Sequence, residues 1–156
     1  MLSQLIEDFN NHLVQAISDA QQLQSTLSLE HEYLKISDLQ AFQELQPRKQ
    51  HDVQTIQLFD ALRNQFCNRA SIDKEDQNFS SHLPAPQQAL WQQLLDLLEA
   101  CDKLHRTSDL FMRTKLESIN KALETLELNS PATSTNLYNN LGNAFKTNIS
   151  RSLYKA

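Results

Sequence analysis

Residues 6–34 read IEDFNNHLVQAISDAQQLQSTLSLEHEYL, and the spacing of their apolar side chains decides the fold. Ile6, Phe9, Leu13, Ala16, Ala20, Leu23, Leu27 and Leu34 recur at alternating steps of three and four, with Glu30 the one polar member. Such a series, sustained over roughly four heptads, demands a long helix packed lengthwise against another helix. Ser37-Asp38-Leu39-Gln40 then reads as a Ser-x-x-Gln capping box that opens a second helix. The chain is therefore expected to reverse near Ile36 into an antiparallel partner.

The second helix carries Leu39, Phe42, Leu45, Val53, Ile56, Phe59, Leu62 and Phe66. Pro47 removes a backbone donor and crowds the preceding turn, so a kink or a break is expected there. Lys49 and Asp52 fall where the seam should continue and read as a solvated stretch beside that kink. The alternative for Lys49 is an ion pair with Glu30 across the hairpin, a device that fixes helix register. From Asn68 to Pro86 the periodicity stops, leaving a long surface loop with Phe79 and Leu83 as its anchors. Pro84 and Pro86 suit the first turn of the next helix, where a missing N–H costs little.

The third helix is expected from about Gln87 to Leu128, giving helices at about 2–36, 38–67 and 87–128. Its seam reads Leu90, Leu94, Leu97, Cys101, Leu104, Ser108 and Phe111. A second register of Met112, Leu116, Ile119, Leu123 and Leu126 follows, with a stutter around residues 107–112. Trp91, Leu95, Leu98 and Leu110 widen the apolar face, which suits either two neighbours in a three-helix bundle or a groove for a partner. The fold class is all-α: an elongated antiparallel three-helix bundle or coiled coil over residues 1–128, with a flexible tail at 129–156.

Composition supports this reading and excludes others. Gly142 is the only glycine, where average usage of roughly 7% would give about eleven. Walker loops, dinucleotide-binding turns and strings of tight hairpins all need glycine, so they are excluded. The net charge of −5 argues against a nucleic-acid partner. The apolar cluster Leu94-Leu95-Asp96-Leu97-Leu98 is far short of the roughly 20 residues a membrane span needs. The N-terminus has no basic region of the secretory kind, and Cys67 and Cys101 form no CxxC pair, which together predict a reducing cytoplasm. His31-Glu32-Tyr33-Leu34-Lys35 lacks the second histidine of a zinc-binding HExxH, so no metal or cofactor is expected. No facing pair of acids or activated nucleophile emerges from the seams, and an enzyme is not expected.

The tail differs in character from the body. Asn129-Ser130-Pro131-Ala132-Thr133-Ser134-Thr135-Asn136 is a polar linker, followed by Leu137, Tyr138, Leu141, Phe145, Ile149, Leu153 and Tyr154. Phe145, Ile149 and Leu153 at i, i+4 and i+8 predict a short amphipathic helix at about 143–154. Residues 129–156 contain Lys146, Arg151 and Lys155 and no acid, so the remainder of the chain carries −8. Burying four of the tail's large side chains would contribute about 6–12 kcal/mol. Ordering some 15 residues costs about 1–2 kcal/mol each, so the tail needs a surface to fold on. Its own body or a partner would provide one.

Glu30-x-x-Leu34, Asp38-Leu39-x-x-Phe42-x-x-Leu45 and Lys49 resemble the first helical turn-around of FlgN-type flagellar export chaperones. Thr135-Asn136-Leu137-Tyr138-Asn139-Asn140-Leu141-Gly142, behind a long third helix, is similar to that family's tail. The resemblance implies a cytoplasmic chaperone for the flagellar hook-associated proteins of the hook-filament junction. It would prevent their premature self-association and deliver them to the flagellar type III secretion apparatus, whose export-gate or ATPase components are further partners. It implies client contacts at Leu137, Tyr138, Leu141, Gly142, Phe145, Ile149 and Leu153, with Leu104, Leu110 and Phe111 supplying a groove. The alternative is a structural coiled-coil adaptor or self-associating scaffold, which explains the heptads equally well.

Overall fold

The computed structural model describes residues 1–126. Three helices account for most of them: α1 (Leu2–Lys35), α2 (Leu39–Ala70) and α3 (Ala85–Thr125). Both α2 and α3 pack along α1. Contacts of Glu30 with Lys49 and of Phe9 with Phe66 run α2 antiparallel to α1. Those of Ala20 with Cys101 and of His31 with Ser108 run α3 parallel to α1. The expected three-helix bundle is the observed one.

The reversal between α1 and α2 takes three residues. Ser37 adopts the left-handed region at φ 58, its N–H bonds to Leu34 O (3.2 Å), and the Asp38 N–H reaches back to Tyr33 O (2.9 Å). This is the Schellman pairing that usually recruits glycine, made here with serine. The Asp38 carboxylate then accepts from the Ala41 N–H at 3.0 Å, so the cap of α2 is Asp38, one residue beyond the expected Ser37. Ser71 closes α2 in the same way at φ 57, with the Ile72 N–H on Cys67 O.

Pro47 does not break α2, which is continuous through it. Buried residues lie on both sides of the proline, Phe42 and Leu45 before it and Val53 and Ile56 after, so packing holds the helix across the lost hydrogen bond. The seam of α2 is also unbroken. Phe42, Leu45, Lys49, Asp52, Ile56, Phe59, Arg63 and Phe66 are all buried and keep the three-four alternation. The expectation that Lys49 and Asp52 are solvated is therefore wrong. Leu39, expected on the seam, is 61% exposed, because it sits in the first turn at the open tip of the hairpin.

At the opposite end the connection between α2 and α3 is pinned by Phe79 and Leu83, both buried as expected. Phe79 opens a short 3-10 turn (Phe79–His82) and meets Trp91 edge-on at 5.0 Å between centroids. Phe9 stacks on Phe66 at 4.3 Å beside them, so one aromatic cluster joins the start of α1, the end of α2 and the start of α3. The buried Arg63 guanidinium lies over the Phe79 ring and donates to Lys74 O at 3.2 Å, fastening the loop to α2.

The seam of α3 keeps the expected Leu94, Cys101 and Ser108 but runs through Trp91, Leu98 and His105 in place of Leu90, Leu97 and Leu104. Trp91, Leu94, Leu98, Cys101, His105 and Ser108 are buried, whereas Leu90, Leu97 and Leu104 are half-buried at the flank. Continued by the same alternation, the observed seam would pass through Met112, Lys115, Ile119, Ala122 and Leu126. The apolar series Met112, Leu116, Ile119, Leu123 and Leu126 instead takes two successive steps of four at 108–112–116, where the stutter is expected.

A buried polar layer and an uncovered helical seam

Two features set the distal half of the bundle apart. The first is a layer of buried polar side chains contributed by all three helices. Lys49 Nζ lies 3.1 and 2.9 Å from the two carboxylate oxygens of Glu30, and Gln46 Nε2 donates to the same carboxylate at 3.0 Å. One turn along, the Thr26 hydroxyl donates to Asp52 at 2.6 Å. From α3, Ser108 Oγ stands 3.3 Å from His31 Nδ1, and His105 is buried near Lys49 and Glu30. Burial, and then the Lys49 charge, lowers the His105 pKa from 6.5 to about 4, so its imidazole is neutral at pH 7.

Sequence periodicity placed Glu30, Lys49, Asp52 and Ser108 on their seams, but not the partnering of Asp52 with Thr26 or of Ser108 with His31. The Glu30–Lys49 pairing considered from spacing is the observed one. Chemically the layer is closed on itself, since its carboxylates meet ammonium, amide or hydroxyl donors within the bundle. It specifies register.

The second feature lies beyond that layer. Among the described residues, none from Asp109 to Leu126 is buried. Lys115 marks the edge of the hairpin, with its ammonium on Leu34 O and the Ser37 hydroxyl. Eleven further residues to Leu126 extend past it by about 17 Å. Along them lie Leu116, Ile119, Leu123 and Leu126, of which Leu116 and Leu123 are half-buried, as is Met112 just before the edge. Ile119 is 51% and Leu126 66% exposed.

The expected client contacts divide between these regions and the tail. Leu104 packs half-buried against the core. Phe111 is half-buried, edge-on to the His31 ring at 6.2 Å with Lys115 Nζ 5.1 Å from its centroid. Leu110 is 67% exposed and points elsewhere, because one residue step turns it about 100° from Phe111. Leu137, Tyr138, Leu141, Gly142, Phe145, Ile149 and Leu153 lie outside the described residues. The distal face of α3 instead presents the exposed Ile119 and Leu126 with the half-buried Met112, Leu116 and Leu123. Their signal was already present in the apolar spacing, as a seam continuing past the residue where its partner helices turn back.

Neither cysteine is poised for chemistry. Burial raises the Cys101 thiol to about 12 and also raises that of Cys67. Among the described residues no group of three His, Cys, Asp or Glu side chains could hold a metal ion, and no helix is long and apolar enough to cross a membrane. A shallow groove between α1 and α2 near their loop end is lined by Asp8, His12, Leu62 and Arg69.

A long, glycine-free helical hairpin, a third helix that outruns it, and an apolar-anchored tail fit a protein that holds other proteins. Residues 1–145 match the family model described as FlgN protein, which spans all three helices and the first part of the tail. No curated protein and no solved structure matches the chain. The chain belongs to the FlgN family, which consists of flagellar export chaperones rather than enzymes.

Proposed function

We propose that this chain binds the hook-associated proteins of the hook-filament junction in the cytoplasm, prevents their premature self-association and delivers them to the flagellar type III secretion apparatus. The observation that carries the reading is the uncovered apolar seam of α3, followed in the sequence by a tail with its own spaced apolar anchors. A client with an apolar terminal helix would find in them a helix-in-groove site read at i, i+3 and i+4. Coupled folding of the tail would keep affinity moderate and release easy, as a carrier requires. Tyr138 and Phe145 are the central contacts in this reading, with Leu137, Leu141, Ile149 and Leu153 beside them. Export-gate or ATPase components are the partners that would receive the loaded chaperone.

Tyr138→Ala combined with Phe145→Ala tests it. Capture of co-expressed junction proteins should fall by at least about tenfold, the loss of roughly one buried aromatic contact, while helical content and melting temperature stay at wild-type values. Undiminished capture would overturn the assignment. The same uncovered seam is also what a self-associating coiled coil presents. Light scattering separates the two, since a stable oligomer indifferent to junction proteins would favour the scaffold.

A further inference from the structure

We propose that, without a client, residues 145–153 fold back as a short helix onto the uncovered seam of α3, antiparallel to it. The seam at Met112, Ile119 and Leu126 has the same a/d spacing that α1 and α2 cover lower down, so its complement is another amphipathic helix. The lengths agree. Nine helical residues span about 13 Å, against about 17 Å from Lys115 to Leu126. The 18 residues from 127 to 144, including the Asn, Ser and Thr run and Pro131, reach about 23 Å as a coil, ample for a reversal.

Polar features of the same region point the same way. Asn120 Oδ1, beside the seam, is shielded from solvent and has no hydrogen-bond partner, and the approaching segment is rich in Asn, Ser and Thr donors. Glu117 and Glu124 lie exposed one heptad apart on that flank, within reach of Lys146 and Arg151 once the tail turns back. The arriving helix would also meet Ile36 and Leu39, both exposed at the hairpin tip.

A tether this short gives an effective concentration of about millimolar, so even weak docking is populated. A client would then displace the tail, and its apparent affinity would fall by the fraction of chaperone with the seam open. The displacement rests on the function proposed above, but the docking itself does not.

Ile119→Cys combined with Ile149→Cys in the full chain, oxidised at low micromolar concentration with no client present, tests the docking. Cys67 and Cys101 are buried and do not compete. The expected product is an intramolecular disulfide in a monomer, formed at least about tenfold faster than in Leu58→Cys combined with Ile149→Cys, where Leu58 is exposed on α2. Equal rates in both variants would mean a freely diffusing tail and overturn the proposal. A disulfide-linked dimer would overturn it in favour of a second copy as occupant. No disulfide overturns it as well. Docking with undiminished client capture by the Tyr138 and Phe145 variant would refute the client assignment alone. The reverse pattern would refute the docking alone.

Discussion

Lys49 Nζ and the Glu30 carboxylate meet at 2.9 and 3.1 Å with both side chains less than a tenth exposed, in the middle of a mostly apolar seam. Two charges in such a place attract strongly but have lost most of their hydration, so the pair is a weak source of net stability. Its weight lies in what happens when one member is missing.

Lys49→Met alone should destabilise the fold by about 3–5 kcal/mol, because Glu30 stays buried with only Gln46 as donor. Glu30→Leu with Lys49→Met should recover most of that loss. Urea unfolding of both singles and the double, closed as a thermodynamic cycle, reads the coupling. Additive losses would mean that the ion pair is not formed in solution.

His105 gives the bundle a specific pH dependence. Its pKa is lowered from 6.5 to about 4, first by burial and then by Lys49, while Glu30, Asp109 and Asp102 act in the opposite sense. Between those values the unfolded chain binds a proton that the folded one refuses. Stability is therefore full above pH 6.5 and falls as the pH drops towards 4, by up to about 3 kcal/mol at ~1.4 kcal/mol per unit. The His105→Leu variant should lack this slope. Subtracting its stability-against-pH curve from that of the wild type isolates the effect from carboxylates titrating nearby.

Phe79 anchors the loop between α2 and α3, with its ring against Phe9, Phe66 and Trp91. Phe79→Ala should cost about 3–5 kcal/mol through the cavity it opens. Far-UV helical content at 25 °C should be unchanged while Trp91 emission shifts to the red. A loss below about 1 kcal/mol would mean that the loop collapses to fill the site.

Both thiols should resist a disulfide reagent in the native protein and both should react in denaturant. The Cys101 thiol, raised to about 12 by burial, also lies 3.7 Å from the Ala20 carbonyl oxygen inside the core. Rapid reaction of either in native buffer would reveal local opening, and comparing the two single Cys→Ser variants would locate it.

The helices were legible in the sequence because α1 has one dominant register, which the structure keeps from Phe9 to Leu34. At its start two apolar neighbours compete, and Leu5 rather than Ile6 takes the buried place. The same ambiguity misled the reading of α3. Leu94-Leu95-Asp96-Leu97-Leu98 supports two registers equally, and the true one passes through His105, which apolar counting penalises. Lys49 and Asp52 were misread for a related reason. A charge on a seam looks solvated until its partner is known, and Thr26 and Glu30 are supplied from another helix. Of the candidate site, the α3 seam was visible as spacing. That nothing described covers it depends on where the hairpin ends, a relation between helices that no single segment encodes. The expected contacts from Leu137 to Leu153 lie outside the described residues.

The polar layer also acts as a gauge of length. A slip of α3 along α1 by one heptad, about 10.5 Å, would part Ser108 from His31 and His105 from the charges of Lys49 and Glu30, setting both against leucines such as Leu23. Leucine layers alone would tolerate that slip. Because the layer forbids it, the amount of α3 left beyond the tip is a fixed remainder, set by how many residues follow Ser108. Seven residues inserted there would lengthen the exposed part by one heptad and leave every contact below it in place.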